Sequence, residues 1–288
     1  MEPIRYRPKT SAVLRYTGQA RDGATGRKAE RRFYAKVCRD EGEYQAFQAF
    51  CGRADSGREA FAVGRPLAYL SSLHAFVMEE APGVSLEQIL LQDDDMVAAV
   101  GQAARALAAF HQCDVSTGCY HSYEDDLAKL KKAGALLESL YPQLSADVRG
   151  IISTVAMGLE EVPPAPTHGD LKTEHILLDG DRVIFIDLGT FAGADPILDP
   201  ADVLARLAAM PGLFLLPRSR ARVAAQAFAK EYFAHVPKSW RSRLPFHYAG
   251  ANLRLAASIF RNQEPGWRNT VPALIGEAKD SLTGKVWW

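Results

Sequence analysis

The chain has 288 residues, 48% of them hydrophobic and 24% charged, and its 34 basic and 34 acidic side chains give a net charge of zero. This composition is typical of a globular protein with a sizeable core, and it excludes a disordered chain, a fibrous repeat and a disulfide scaffold. Nucleic-acid-binding proteins usually carry a basic surplus, so we expect no nucleic-acid partner.

The amino-terminal segment and the cysteines indicate the compartment. The segment MEPIRYRPKT carries charges where a signal peptide needs an apolar stretch. The longest apolar run, residues 204–216, is interrupted by Arg206 and is shorter than the roughly 20 residues of a membrane helix. The four cysteines form no CxxC pair, which favours reduced thiols. We therefore expect a cytoplasmic protein with no membrane partner.

Residues 1–80 are predicted to form a small β-rich domain that carries one helix. Runs of β-branched and aromatic residues predict strands at 11–17, 32–38 and 75–79. The polar, glycine-containing segment 18–31 predicts a long hairpin loop. Apolar residues at helical spacing predict a helix over 40–51.

Residues 81–288 are predicted to be mainly helical. Ser85, with Glu87 and Gln88 behind it, predicts a capped helix start. Further helices are predicted at 96–111, 127–140 and 146–159 and over most of the chain beyond 201. One β-island, ILLDGDRVIFID at 176–187, predicts two strands joined by an Asp-Gly turn. The whole pattern predicts an α+β fold.

Two aspartates flank this predicted hairpin. Asp170 precedes its first strand and Asp187 ends its second, so a tight hairpin is expected to bring the carboxylates onto neighbouring loops. Two carboxylates held close together are costly unless a metal ion or a proton lies between them. A divalent cation beside a base is what phosphoryl transfer needs, because its catalysis is mostly positioning and charge neutralisation.

Five segments carry motifs in a set order along the chain. They are FYAKV at 33–37, FVMEEAPG at 76–83, HGDLKTEHIL at 168–177, IDLG at 186–189 and DPILD at 195–199. In that order they resemble the strand with a phosphate-binding lysine, the hinge, the HxDxxxxN catalytic loop, the DFG-type metal element and the GDPxxD run. This set is similar to that of the aminoglycoside phosphotransferase family.

The resemblance implies a bilobal protein kinase-like fold. A nucleotide-binding lobe would span 1–80, and a helical lobe would span 81–288, with a catalytic hairpin at 168–189 and the acceptor-binding helices. The implied activity is transfer of the γ-phosphate of ATP to a hydroxyl group of a small molecule, with Mg²⁺ as the metal cofactor.

The resemblance also assigns roles around the reacting phosphate. Asp170 is expected to accept the proton of the acceptor hydroxyl, and Lys172 to offset charge on the moving phosphoryl group. Asp187 is expected to hold Mg²⁺. Asp199 is expected to brace the catalytic loop.

Other residues are expected to hold the nucleotide. Lys36 would contact the α- and β-phosphates, positioned by an acid on the following helix, for which Glu43 is preferred and Glu41 is the alternative. Adenine is expected at the backbone from Glu79 to Ala81. The amino-terminal segment has no GxGxxG, so Lys9, Thr10 and Ser11 are candidate phosphate donors in its place.

One position departs from the family pattern. His175 stands where the family has a metal-binding asparagine. Mg²⁺ prefers oxygen ligands, whereas imidazole suits softer transition metals. Three alternatives stay open: His175 binds a metal through nitrogen, with Mn²⁺ as a candidate; Asp187 holds the metal with extra water; or activity is reduced.

The resemblance leaves alternatives for the function and the acceptor. Gly169 stands where protein kinases place an arginine beside the catalytic aspartate, which disfavours a protein kinase. A nucleotide-binding pseudokinase with a regulatory role is the other alternative. Residues 81–200 are acidic and residues 201–288 are basic, which favour a cationic and an anionic acceptor respectively. Arg254 and Arg261 are candidates for holding an anionic acceptor.

Overall fold

The computed structural model describes residues 1–7, 11–21, 28–38, 41–54, 60–92, 95–115, 118–286 and 288. They form two compact units, one of Met1–Gly83 with Leu177–Thr190 and one of Val84–Ile176 with Phe191–Trp288. The predicted α+β class is confirmed. Within these residues, no helix combines the length and the hydropathy that crossing a membrane requires.

In chain order the strands are β1 (Glu2–Arg7), β2 (Ser11–Arg21), β3 (Lys28–Val37), β4 (Ala62–Val63), β5 (Pro66–Leu70), β6 (Ala75–Glu79), β7 (Val84–Ser85), β8 (Ala165–Thr167), β9 (Ile176–Asp179), β10 (Arg182–Phe185) and β11 (Ala192–Ala194). The helices are α1 (Gly42–Ala54), α2 (Leu86–Gln92), α3 (Met96–His111), α4 (Tyr123–Leu140), α5 (Ser145–Gly158), α6 (Leu198–Leu213), α7 (Arg218–Ala234), α8 (Leu244–Arg261) and α9 (Trp267–Leu282). Short 3-10 turns join some of these elements.

The first unit is built on a twisted antiparallel sheet with strand order β1-β2-β3-β6-β5. Helix α1 buries the rings of Phe47 and Phe50. The Phe47 ring contacts the ring of Phe76 on β6, with 6.0 Å between centroids. This apolar spacing of three residues is what predicted the helix, and burial of the two rings explains why α1 forms there.

The hairpin of β9 and β10 belongs to the first unit from Leu177 onward. Strand β10 pairs in parallel with β4, with Ile184 opposite Ala62. The N–H of Gly64 then donates to the carbonyl of Phe185 at 3.0 Å. The predicted domains placed this hairpin with the helical part of the chain, so the two divisions differ over 177–190, because backbone pairing to β4 ties the hairpin to the first unit.

The second unit is a helical assembly around α8. Helices α4, α5, α6 and α9 share with α8 a core of buried aliphatic side chains that includes Leu130, Leu137, Val148, Leu253 and Leu274. Ser85 caps α2 as predicted: its hydroxyl accepts from the N–H of Gln88 at 3.2 Å, while Gln88 Oε1 accepts from the N–H of Ser85 at 3.3 Å.

The prediction of a long loop over 18–31 was wrong. Strands β2 and β3 stay paired from Ala12 opposite Val37 as far as Arg21 opposite Lys28, so most of the predicted 18–31 loop is strand. Antiparallel pairing uses backbone groups alone, and a strand that is polar on both faces leaves no alternation in the sequence to reveal it.

Candidate active site

The first unit holds an ammonium group between two carboxylates. Lys36, on β3, places its Nζ 2.7 Å from Oε1 of Glu43 in the first turn of α1 and 2.5 Å from Oδ1 of Asp187, two residues beyond β10. The side chains of Lys36 and Glu43 are 16% and 6% exposed, whereas Asp187 is 30% exposed. Of the two acids considered for this pairing, the structure therefore brings Glu43 to Lys36.

Protonation in this group follows from burial and charge. Burial lowers the pKa of Lys36, but the carboxylates of Glu43 and Asp187 outweigh it and leave the pKa of Lys36 above its ordinary value. Burial raises the pKa of Glu43, and the ammonium of Lys36 opposes that rise without cancelling it. With all three groups ionised, the set carries one excess negative charge, which an added cation would neutralise.

The backbone around Asp187 is shaped for this contact. Asp187 has φ of 62°, in the left-handed region that Asp and Asn enter more readily than other side chains. At Gly189, an added Cβ would lie 3.1 Å from Oε2 of Glu43 and 3.5 Å from Nζ of Lys36. Glycine at 189 therefore leaves room for the ion pair.

The residues expected to meet the nucleotide are placed in part. Lys9 and Thr10 lie outside the described residues, and Ser11 begins β2, where its backbone is opposite Arg7. Glu79 ends β6, and its N–H donates to the carbonyl of Arg65 at 3.1 Å. Ala81 follows it, half-buried.

Tyr34 is a residue that the sequence analysis missed. It lies two positions before Lys36 on β3, so both side chains project from the same face of the strand. Its hydroxyl donates to Oε1 of Glu80 at 3.1 Å, which fixes the ring at the end of β6. The sequence did contain a signal for this residue. The period of two along a strand places the side chain at position 34 on the same face as Lys36.

The second unit contains the predicted catalytic loop. Nζ of Lys172 lies 2.8 Å from Oδ2 of Asp170, whose side chain is 51% exposed. The preceding residue, Gly169, has φ of 78°, a left-handed conformation that suits glycine and turns the chain towards Asp170. The loop thus presents an accessible carboxylate beside a lysine.

Asp199, the second residue of α6, holds this loop through hydrogen bonds to its backbone. Its Oδ2 accepts from the N–H of His168 at 2.7 Å, and its Oδ1 accepts from the N–H of Gly169 at 2.8 Å. Nε2 of His111 lies 2.9 Å from Oδ2, and Nδ1 of the same ring lies 2.7 Å from the hydroxyl of Tyr232. Burial would raise the pKa of Asp199, but these donors outweigh it, so its pKa lies below the ordinary value and the carboxylate stays ionised.

His175 is packed into the same loop. Its Nδ1 lies 3.1 Å from the carbonyl oxygen of Asp170, which accepts if Nδ1 carries the proton. Its ring stacks on His168, with 5.7 Å between centroids and 20° between planes. The ring is therefore held against the backbone of Asp170, and its role as a metal ligand stays a prediction.

The partners of two aspartates beside the loop carried no sequence signal. Asp195 accepts from Nε of Arg243 at 2.7 Å and contacts Nε2 of His247 at 2.9 Å. Asp202 on α6 accepts from Nη2 of Arg254 at 3.0 Å. These partners lie about fifty residues apart in sequence, where spacing predicts nothing. Arg254, a candidate for holding an anionic acceptor, is therefore engaged with Asp202.

These two aspartates differ in protonation. Burial opposes ionisation of Asp195, but His247 and Arg243 outweigh it and hold its pKa far below the ordinary value. Burial raises the pKa of Asp202 to about 7, because Arg254 only partly compensates and the nearby charges of Asp170 and Asp199 add to the rise.

The sequence model of the phosphotransferase enzyme family (APH) matches residues 21–244. A search of the curated proteins finds no match to this sequence.

Three solved structures illustrate the structural likeness. A choline/ethanolamine kinase family protein from Mesorhizobium loti is 15% identical, with a TM-score of 0.59 over 92% of this chain and 88% of that one. The aminoglycoside phosphotransferase APH(3'')-Id from Streptomyces rimosus is 20% identical, with a TM-score of 0.52 over 88% and 92%. The amicoumacin kinase hAmiN is 13% identical, with a TM-score of 0.61 over 97% and 88%. The predicted protein kinase-like fold is confirmed.

Proposed function

This chain belongs to the phosphotransferase enzyme family, and from that premise we propose that it transfers the γ-phosphate of ATP to a hydroxyl group of a small molecule. The observation that carries the proposal is the Lys36 ammonium, held within 2.7 Å of Glu43 and 2.5 Å of Asp187. Phosphoryl transfer depends on positioned charge, and this set presents a fixed cation beside an accessible carboxylate.

Lys36 is the residue proposed to bind the α- and β-phosphates. Its pKa is raised, so its charge is retained at any physiological pH. Glu43 is buried, so its carboxylate has little room to move when a ligand binds. It is therefore proposed to hold the Lys36 ammonium in a fixed position. Asp187 is more exposed than Glu43, and it is the carboxylate that we propose to contact the metal ion.

Mg²⁺ fits the donors that the first unit offers. Among the described residues no three His, Cys, Asp or Glu side chains form a group that could hold a metal by themselves. Mg²⁺ commonly binds to one or two carboxylates and completes its shell with phosphate oxygens and water, so Asp187 can hold it without such a group. When bound, the ion would neutralise charge on the phosphates.

Asp170 is proposed to accept the proton of the acceptor hydroxyl at its carboxylate. Its backbone is fixed by the loop that Asp199 holds, and its side chain is open to an incoming molecule. Lys172, at 2.8 Å from this carboxylate, is proposed to supply positive charge near the phosphoryl group. Tyr34, on the Lys36 face of β3, is proposed to stack on adenine near Glu79 and Ala81.

The names of the structural relatives support a small-molecule acceptor and a nucleotide with a divalent cation. The hAmiN structure is described as a complex with AMP-PNP, Ca²⁺ and Ami. The other two relatives are named for choline or ethanolamine and for aminoglycosides. We therefore propose amino alcohols and aminoglycosides as the first acceptors to test.

The test measures nucleotide binding first and transfer second. Melting temperature is followed with ATP and with Mg²⁺ or Mn²⁺ for the wild type, Asp187→Asn and the matched control Asp181→Asn, whose carboxylate lies exposed in the hairpin turn. A metal-dependent rise of a few degrees, lost only in Asp187→Asn, is expected. ADP release is then measured with each acceptor for the wild type and Asp170→Asn. Nucleotide binding without release would favour the pseudokinase, and absence of both would overturn the proposal.

A further inference from the structure

A cavity of about 750 Å³ lies in the second unit, away from the catalytic loop. It is lined by the end of α6 and by the first turns of α7 and of α9. Its first α6 residue, Ala208, follows Asp199 by nine positions, which is about 13.5 Å along the helix axis. The volume lies within the range of small-molecule sites, and the lining includes none of the residues assigned to phosphoryl transfer.

The wall between α6 and α9 is rigid. At Gly212 an added Cβ would lie 2.2 Å from Oγ1 of Thr270, and at Gly266 it would lie 2.2 Å from the carbonyl oxygen of Gly212. Thr270 Oγ1 in turn donates to the carbonyl of Gly266 at 3.0 Å. The end of α6 is thus locked to the start of α9, so this part of the cavity exists before any ligand arrives.

The mouth of the cavity exposes apolar surface. Leu215 is 88% exposed, and its φ of 57° places a leucine in the left-handed region. Phe214, which precedes Leu215 in sequence, and Val223, which lies on α7, are also exposed. A strained, exposed apolar side chain at a cavity mouth is unfavourable for the empty protein, and such features are enriched at ligand sites.

The charged lining favours an anion. Arg218 and Arg222 stand four residues apart at the start of α7 and share a face, whereas Glu277 is the single acidic residue among those that line the cavity. The α7 amino terminus, whose first turn contains no acidic residue, adds its partial positive charge on the same side. Apolar surface is supplied by Pro211, Leu215 and Ala273 among others.

We propose that this cavity binds a small amphipathic anion, a carboxylate or phosphate monoester with a hydrocarbon body, whose anionic head contacts Arg218 and whose body covers Leu215. The proposal does not rest on the phosphotransferase activity, because the cavity is separate from those residues. Octanoate and octyl phosphate serve as probes that differ only in the head group, and 1-octanol is the probe without an anion.

Binding is measured by isothermal titration calorimetry on the full chain. Saturable binding is expected for at least one of the two anions, with an affinity at least about tenfold lower in Arg218→Gln, because a charge-assisted contact is removed. Arg149→Gln removes another exposed arginine, on α5, and is expected to bind as the wild type does. Ala273→Trp, which fills the cavity from an exposed position on α9, is expected to abolish binding.

Three results would overturn the proposal. The first is that neither anion binds at millimolar concentration. The second is that 1-octanol binds as tightly as the anions do. The third is that Arg218→Gln and Ala273→Trp both bind as the wild type does. If only octyl phosphate binds, the head group recognised is a phosphate, and if both anions bind equally, it is negative charge. Circular dichroism of each variant establishes that it is folded.

Discussion

His111 and Asp199 form a fully buried pair, with 2.9 Å between Nε2 and Oδ2 and neither side chain exposed. They lie 88 residues apart in sequence, and through Asp199 the ring of His111 supports the two backbone N–H groups that shape the catalytic loop. The pair links the helical core to the residue that is proposed to receive the proton.

Asp199→Asn is therefore expected to damage the loop without touching a ligand. An amide offers one acceptor oxygen where the carboxylate offers two, so one loop N–H loses its partner in a buried site. We expect the free energy of unfolding to fall by about 3 kcal/mol and kcat to fall more than KM changes. Urea unfolding and steady-state kinetics measure the two effects. Unchanged stability together with unchanged kcat would contradict the bracing role.

Glu43→Gln is expected to weaken nucleotide binding several-fold. The neutral amide no longer holds the ammonium of Lys36 electrostatically, and the lysine is left with Asp187 alone. Glu41→Gln is the matched control, since Glu41 is exposed at the start of the same helix. ATP affinity measured by calorimetry decides the matter, and equal losses in the two variants would contradict the anchoring role of Glu43.

Gly189→Ala tests the space beside the ion pair. The new methyl group would lie 3.1 Å from Oε2 of Glu43, which forces the carboxylate or the backbone to move by a few tenths of an ångström. We expect KM for ATP to rise about three- to tenfold, which corresponds to roughly 1 kcal/mol. Gly276→Ala, on α9 in open space, is the control and is expected to leave KM unchanged.

His175→Asn tests the departure from the family pattern. An amide supplies the oxygen that Mg²⁺ prefers, so Mg²⁺-supported activity is expected to be retained or raised and any preference for Mn²⁺ to decrease. Turnover is measured with each metal for both proteins. An inactive variant beside an active wild type would show that His175 has a different role, for which its contact with the Asp170 carbonyl is the first candidate.

Asp202 gives the protein a pH-dependent stability. Its pKa is about 7 in the folded chain against 3.8 ordinarily, so between these values the folded state binds more protons than the unfolded state. Its contribution to the free energy of unfolding therefore falls as pH rises from about 4 to about 7 and is constant above that range. Asp202→Asn removes this dependence, and relative to the wild type it is expected to gain roughly 2–3 kcal/mol as the pH rises from about 5 to about 8. Urea unfolding at both pH values measures it, and an identical pH profile in the two proteins would contradict it.

Local patterns predicted those elements whose side chains repeat with a clear period. Helix α3 has the predicted bounds, 96–111, because its apolar face is continuous, and the hairpin at 176–187 was predicted from its Asp-Gly turn. The short strands β8 and β11, APT and AGA, have no alternation to detect and exist because their backbones pair with each other.

The contacts of the candidate site also fall into those that the sequence could predict and those that it could not. The pairing of Lys36 with Glu43, seven residues further along the chain, was one of two alternatives, because the resemblance implies an acid on the following helix and left Glu41 and Glu43 as candidates. The partners of Asp199, Asp195 and Asp202 could not, because each lies on another helix and only tertiary packing brings it near. Motifs predict the reacting groups, whereas packing selects the residues that support them.

The left-handed backbone at Asp187 also restricts how this position can evolve. Glutamate would keep the carboxylate but enter an unfavourable backbone region with a longer side chain, so the position tolerates few residues. Asparagine accepts the same backbone and is reached from aspartate by a single-nucleotide change. A lineage that no longer needed the chemistry could therefore lose the charge in one step and keep the fold, which makes an inactive but folded descendant an accessible outcome for this chain.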